Sequence, residues 1–305
     1  MNKLKKLGKG LEDISYLFLS PEEEEPAEQE VRVEKNKMLS ETIEKATKNI
    51  CLIGNSHDSR DAFLVINLGL ALARLGMRIA VVDMDEKSPC VNFLIGKAKD
   101  IILENEEHEF VSKGPFGIKL AGINSALIEN MLADKSLRTK IMLEMKKMEQ
   151  DVDLVLISVS QDSLFYMNPL LRKSIEEFLV FVSPDKNSML NSYKVVKTIF
   201  SHNPVAKIGT IITDIEHMYE IDVVFNKMFL AVKKYMVKEL YKYGFLFKLK
   251  QEVNNNSNIA SFYDADLTAC ISNIAQIIIL RLNLEENAKS NGELFKNVFT
   301  EFGIE

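Results

Sequence analysis

Short apolar runs and helical apolar stripes alternate along the middle of the chain. Residues 50–53 and 79–82 are apolar throughout, which is the pattern of parallel strands buried on both faces. Between them, apolar residues recur at helical spacing over residues 61–75 and stop at Gly76, a residue that commonly follows a helix. A strand, a helix and a second strand in this order predict a right-handed crossover. The loop after the first strand then lies at a helix N-terminus, where anions are favoured.

The alternation of strands and helices continues to residue 284. We predict a turn and a strand at residues 114–122, a last strand at residues 244–250, and helices at residues 125–150, 221–243 and 266–284. Such repetition favours a doubly wound α/β domain, with a mainly parallel sheet and helices on both faces. The methionines of residues 125–150 are interpreted as core filling, with an adaptable interface as the alternative.

The predicted domain spans residues 38–284 and has a tail at each end. Residues 1–20 combine an apolar stripe with early lysines and are interpreted as an amphipathic docking segment. Packing of this segment on its own domain as an extra helix is the alternative. Residues 21–37 form an acidic, proline-bounded stretch that we expect to be a flexible linker. Residues 285–305 form a C-terminal amphipathic tail.

Composition excludes several classes of protein. A hydrophobic fraction of 47% can build a large core, and a formal net charge of −6 gives no general reason to expect nucleic-acid binding. Apolar runs fall short of the ~20 residues that span a bilayer. The four histidines lack metal-ligand spacing, and the three cysteines form no Cys-x-x-Cys motif, which is typical of a cytoplasmic protein. We expect Cys51 and Cys270 to be buried and Cys90 to be exposed.

One segment resembles a known family. Asn67-Leu68, Ala71-Leu72-Ala73, Leu75-Gly76 and the run from Val81 to Asp85, followed by Pro89, resemble the MinD/ParA family of deviant Walker-A ATPases. The pattern is similar to that of regulators of the division site and of flagellar number in this family. The resemblance implies a P-loop NTPase fold in which a glycine- and lysine-rich loop holds ATP and Mg²⁺.

The phosphate loop departs from the family at every position. Its seven places, which in the family read Lys-Gly-Gly-Val-Gly-Lys-Thr, are taken here by Ser56, His57, Asp58, Ser59, Arg60, Asp61 and Ala62. The resemblance therefore puts Asp61 where the phosphate-binding lysine is expected and Ala62 where the Mg²⁺-binding threonine is expected. A carboxylate repels a phosphate charge by about 4 kcal/mol at ~4 Å and an effective dielectric constant of ~20. Tight binding of ATP in the usual pose is not expected, although Arg60 could bind an anion in another way.

Downstream positions depart from the family as well. The resemblance puts Ser158 in place of the aspartate that orders the Mg²⁺ shell, and Thr213 in place of the asparagine that contacts adenine. Asp83 and Asp85 are kept, and without a triphosphate they would only hydrogen-bond neighbouring loops. We predict no catalytic residue and no metal ligand.

These residues favour a pseudo-ATPase, a non-hydrolysing binding or regulatory protein in cell division, flagellar placement or partitioning. We expect no cofactor, a protein partner held by residues 1–20 and also by residues 292–305, and a homodimer or a heterodimer with an active paralogue. The expected location is the cytoplasm, with the inner-membrane surface as a further site. The tail carries an aromatic stripe but only one lysine, Lys296, so anionic lipid would bind it weakly and packing on the domain or a partner is favoured. The alternative function is an active ATPase with a non-standard loop that binds ATP and Mg²⁺.

Overall fold

The computed structural model describes residues 48–54, 59–87, 90–91, 110–166, 174–175, 177–248, 265–284, 293–301 and 303–304. The chain divides into two units, Met1–Glu41 and Thr42–Glu305, and every described residue belongs to the second. The predicted docking segment, the predicted linker, the loop positions Ser56, His57 and Asp58, and the side chain of Ser59 lie outside the described part.

An eight-stranded sheet forms the centre of the described unit. Its strands are β1 Lys48–Gly54, β2 Ile79–Asp83, β3 Ser112–Lys113, β4 Lys119–Gly122, β5 Leu154–Ser160, β6 Glu177–Val182, β7 Lys207–Ile215 and β8 Tyr241–Phe247. Their spatial order is β3-β4-β2-β5-β1-β6-β7-β8. Neighbouring strands are parallel except β3 and β4, which pair antiparallel. The mainly parallel sheet agrees with the wholly apolar runs in the sequence, since central parallel strands are buried on both faces.

Helices cover both faces of this sheet, as the doubly wound prediction requires. They are α1 Ser59–Arg74, α2 Ser125–Ala133, α3 Lys135–Gln150, α4 Gln161–Tyr166, α5 Lys186–His202, α6 Tyr219–Met236, α7 Ala265–Leu282 and α8 Leu294–Glu301. On one face, α1 and α7 pack over alternate residues of β1 such as Ile50 and Leu52. On the other face, helices including α3, α5, α6 and α8 pack over Cys51 and Ile53. The α/β fold class is confirmed.

The predicted helix over residues 125–150 is two helices. Asn124 caps α2 by accepting a hydrogen bond from the Leu127 N–H at 2.9 Å, and Asp134 caps α3 by accepting from Ser136 N–H at 2.7 Å. An aspartate between two helical runs is a strong N-cap, and it restarts the helix in a new direction. The methionines Met131, Met145 and Met148 are buried, as the core-filling interpretation expects.

The prediction of one helix over residues 221–243 is wrong at its C-terminal end. Helix α6 ends at Met236, and Val237 takes the left-handed conformation with φ of 55°. Residues 241–243 instead begin β8, where Tyr243 is fully buried. The last strand therefore starts three residues before the predicted start. Alternating lysines and aromatics fit a helix and an edge strand equally well, so the sequence pattern could not separate them.

The C-terminal tail packs on the domain itself. Leu294, Phe295, Val298 and Phe299 of α8 are buried in the core on the side of α3. The buried carboxylate of Glu149 in α3 accepts hydrogen bonds from the backbone N–H groups of Leu294 at 3.1 Å and Phe295 at 3.4 Å, which satisfies free donors at the start of α8. Of the helices described, α7 is long and apolar enough to cross a membrane by length and composition, and it packs against α1 and β8.

Candidate functional site

The described site residues predicted from the sequence lie at or next to the carboxyl ends of the strands, along one end of the sheet. Gly54 ends β1, Asp83 ends β2, Ser158 lies near the end of β5, and Thr213 lies near the end of β7. Asp83 and Ser158 are direct neighbours in the ladder between β2 and β5. Ligands of open α/β sheets bind outside the carboxyl ends of the strands, so this edge is the candidate site.

Asp61 lies in the first turn of α1 and turns back onto the end of β1. A Cβ atom placed on Gly54 would collide with the Asp61 carboxylate and would lie only 2.6 Å from its Cγ atom. The carboxylate therefore occupies the space directly beside the backbone where β1 enters the loop. A negative charge in this first turn is favourable for the helix, because it faces the positive end of the helix dipole. Ala62, the next residue, is buried in the core and offers no hydroxyl.

Arg60 ties the start of α1 to the end of β7. Its Nη1 atom donates to the Asp214 carboxylate at 3.1 Å, and this ion pair remains partly exposed. Asp214 follows the buried Thr213 and takes a left-handed conformation with φ of 58°. The cation that the sequence suggested for anion binding is thus engaged by a carboxylate from another strand.

Asp83 is fully buried and accepts two backbone hydrogen bonds from the segment that follows it. These come from the N–H groups of Asp85 at 3.1 Å and Cys90 at 2.6 Å. Burial raises the pKa of Asp83 to about 7, against the opposing effect of these donors. Cys90 is buried beside it, which corrects the expectation that this thiol is exposed; burial raises its pKa well above the ordinary value, so it is not a reactive thiolate.

Asp85 holds a serine cluster that sequence reasoning missed. Its Oδ1 atom accepts from the Ser160 N–H and from the Ser163 hydroxyl, each at 2.9 Å. The Ser160 hydroxyl donates to Ser163 Oγ at 2.9 Å and accepts from the Ser163 N–H at 3.2 Å. Ser158 is buried on the same strand, and its carbonyl accepts from the Met84 N–H at 2.9 Å. A serine at a strand end three residues before another serine was a usable signal for a cap at the start of α4.

The described charges at this edge are mostly negative. Asp61, Asp83, Asp85 and Asp214 provide four carboxyl groups, of which Asp83 has a pKa raised to about 7 by burial. The cations are Arg60, which pairs with Asp214, and Lys248, which pairs with Glu216 and lies near Asp214. Among the described residues, no three His, Cys, Asp or Glu side chains are placed to hold a metal ion.

Comparisons with known proteins identify the fold. No protein-family model matches the chain, and no curated protein matches it in sequence. MinD from Pyrococcus horikoshii, solved with Mg-ADP, is 12% identical with a TM-score of 0.54, covering 79% of this chain and 99% of that one. The MinC:MinD cell division complex of Aquifex aeolicus gives 15% identity and a TM-score of 0.53, covering 79% and 97%. Cobyrinic acid a,c-diamide synthase from Mycobacterium smegmatis, solved with an ATP analogue and magnesium, is 16% identical with a TM-score of 0.52. The match covers 81% of this chain and 99% of that one. The chain therefore has the P-loop ATPase fold of MinD, ParA and related proteins, as the resemblance implied.

Proposed function

We propose that the chain is a MinD/ParA-like pseudo-ATPase that acts as a non-hydrolysing binding or regulatory protein in cell division, flagellar placement or partitioning. The observation that carries this proposal is the Asp61 carboxylate packed against Gly54 at the end of β1. In the pose implied by the resemblance, the phosphates would lie where this carboxylate lies. The fold alone does not decide the activity, because it also serves a diamide synthase.

Electrostatics support the loss of nucleotide binding. Each carboxylate about 4 Å from a phosphate opposes it by about 4 kcal/mol at an effective dielectric constant of ~20, and the missing lysine removes an attraction of similar size. Since ~1.4 kcal/mol is a factor of ten in affinity, these two terms exceed what a typical nucleotide site can lose. Arg60 does not fully compensate, because it already pairs with Asp214 and a single cation would offset only about one of these two terms. A magnesium triphosphate does not fit the described side chains in that pose.

A protein partner is the second part of the proposal. The solved MinC:MinD complex indicates that this fold can serve protein partners. For this chain we propose docking through residues 1–20, whose apolar stripe and lysines suit a partner groove, in the cytoplasm or at the inner-membrane surface. The partner protein would then be controlled by binding and not by an ATP cycle.

Isothermal titration calorimetry of the full chain with ATP and ADP, with and without Mg²⁺, tests the proposal. We expect no heat of binding at millimolar nucleotide. Binding at micromolar nucleotide that depends on Mg²⁺ would overturn the proposal and favour the alternative, an ATPase with a non-standard loop. A phosphate-release assay would then measure its turnover.

A pair of variants tests the proposed cause. Asp61→Lys removes the carboxylate and restores a cation, so we expect it to gain measurable ADP binding. Glu129→Lys makes the same change of charge on an exposed residue of α2 and should gain nothing. If Asp61→Lys binds ADP no more tightly than Glu129→Lys, the Asp61 carboxylate is not what excludes nucleotide.

A further inference from the structure

One flank of α6 faces the open edge of the sheet. The buried face of the helix is formed by Ile221, Val224, Met228 and Val232. Asp222, about a quarter-turn from that face, accepts a hydrogen bond from the Lys242 Nζ atom of β8 at 3.1 Å. The helix repeat of about 3.6 residues then brings further residues to the same side as Asp222. We call this side the α6 flank; its members are Met218, Tyr219, Asp222, Asn226, Phe229, Lys233 and Val237.

The α6 flank exposes more apolar surface than a solvent-facing helix needs. Met218 is 58% exposed, Tyr219 is 66% exposed, and Val237 is 86% exposed. Beside the first turn of α6, a cavity of about 810 Å³ opens between Met218, Gly244 of β8 and Ile277 of α7. The exposed apolar residues therefore lie at the two ends of α6, and the exposed polar residues Asp222, Asn226 and Lys233 lie between them. Exposed apolar residues with a polar surround are typical of a protein contact.

Strand β8 adds an open hydrogen-bonding edge. Within the described part of the sheet, β8 pairs with β7 on one side and with no strand on the other. Open edges present unpaired N–H and C=O groups and associate unless they are covered. The first turn of α6 lies beside β8, where Lys242 reaches Asp222, so one partner could cover both the strand edge and this end of the flank.

We propose that the α6 flank is the interface of a homodimer, in which α6 packs antiparallel against α6 of a second copy. Two-fold symmetry requires a self-complementary surface. When Asp222 of one copy faces Lys233 of the other, the symmetry gives two ion pairs. The same register sets Asn226 opposite Phe229 at the centre, so no like charges meet along the helix.

The ends of the flank match in this register as well. Tyr219 of one copy lies opposite Met236 of the other, and Met218 lies opposite Val237. The exposed Met218 and Tyr219 of one copy therefore meet the exposed Val237 and the half-buried Met236 of the other, with Val237 at the mouth of the cavity.

The charge order along α6 selects a second copy as the occupant. The first turn of the helix is acidic, with Glu220 and Asp222, and the last turn is basic, with Lys233 and Lys234. Antiparallel packing sets each acidic end beside a basic end, and it also opposes the two helix dipoles favourably. Parallel packing would set like charges together. The same two-fold axis makes the two β8 edges antiparallel.

Sedimentation velocity of the full chain over a range of concentrations tests this interface, in the absence of nucleotide. We expect a monomer–dimer equilibrium. Lys233→Glu and Asp222→Lys each set like charges opposite one another, so each should raise the dimer dissociation constant about tenfold or more. The double variant Asp222→Lys/Lys233→Glu restores opposite charges between the two copies but loses the pair of Asp222 with Lys242 inside each copy, so it should recover most of the affinity that either single variant loses.

Lys227→Glu is the matched control, because Lys227 is exposed on the other side of α6. It changes the net charge as Lys233→Glu does and should leave the equilibrium unchanged. Three results would each overturn the proposal: a chain that stays monomeric at ~100 µM, a dimer that forms only with nucleotide, or a dimer dissociation constant that the charge reversals do not change. Rescue by the double variant separates a lost contact from a failure to fold. A negative result for the dimer would not change the interpretation of the nucleotide titrations, since those test the site at the carboxyl ends of the strands.

Discussion

Gly209 makes room for a buried contact that crosses β7. A Cβ atom at this position would collide with the ring of Tyr243 and lie 2.6 Å from Leu179. The absent side chain lets the Tyr243 hydroxyl reach over β7 and donate to the buried carboxylate of Glu177 on β6. Burial and this carboxylate raise the pKa of Tyr243, so it remains a neutral donor. Arg281 of α7 stacks on the same ring and adds a cation 3.8 Å from Glu177.

We predict that Gly209→Ala lowers the free energy of unfolding by about 2–4 kcal/mol, because the methyl group displaces Tyr243 and leaves Glu177 buried without its donor. Urea unfolding measures the change. Gly69→Ala in α1 is the control, since its Cβ would approach no atom closer than 3.4 Å, at Val81, and alanine favours a helix. This account is wrong if Gly209→Ala lowers the free energy of unfolding by no more than Gly69→Ala changes it.

Asp83 predicts a pH dependence of stability. Its pKa rises from an ordinary value near 3.9 to about 7 on folding, so the folded chain keeps a proton that the unfolded chain has released. The free energy of unfolding therefore falls as pH rises from about 4 to about 7, by at most about 4 kcal/mol from this group. Asn does not titrate, so Asp83→Asn should flatten this decline in urea unfolding measured at pH 5, 6, 7 and 8. Parallel curves for the two proteins would show that Asp83 titrates normally.

The sequence predicted the positions of the site residues better than their contacts. Asp83 and Asp85 were expected at a strand end, and parallel strands bring all carboxyl ends to one edge. The ion pair of Arg60 with Asp214 joins residues far apart in the chain, and no local sequence pattern indicates it. The burial of Cys90 depends on the segment after Asp83 folding back over the strand end, which composition cannot reveal.

At the scale of elements, local capping explains where predictions succeeded and failed. Helix α1 ends at Arg74, one residue before the predicted end, and the chain turns at Gly76, which takes φ of 89° at no steric cost. Helix α6 ends without such a signal, since Val237 is β-branched and takes a left-handed conformation that valine disfavours. Only pairing of β8 with β7 explains why the chain leaves the helix there.

Helix α8 should depend on Glu149 for its docking. We predict that Glu149→Leu leaves the N–H groups of Leu294 and Phe295 without their buried acceptor, at a cost of about 1–3 kcal/mol. Hydrogen exchange read by mass spectrometry should then rise in residues 293–301. Gln150→Leu changes the next, exposed residue of α3 and should leave exchange in α8 unaltered. Equal protection of α8 in both variants would show that its apolar face alone holds it.

At the scale of the molecule, the candidate site and the α6 flank lie on different parts of one sheet. The site lies at the carboxyl ends of β2, β5, β1 and β7, whereas the flank follows the outer side of β8. The proposed partner contact, through residues 1–20, is a different segment from the α6 flank. If the proposed dimer and the proposed docking through residues 1–20 both hold, the assembly would contain two copies of the chain and two partner molecules and would need no nucleotide to form.

The proposed docking of residues 1–20 on a partner predicts that removing residues 1–37 leaves both the core and the α6 flank intact. We expect a chain that begins at Met38 to unfold in urea within about 1 kcal/mol of the full chain, a difference typical of changes outside a core. Its dimer dissociation constant in sedimentation should also be unchanged. A loss above about 2 kcal/mol would favour the other interpretation of residues 1–20, an extra helix packed on the domain, and would argue against a free docking segment. An unchanged domain would instead leave this segment available to a partner.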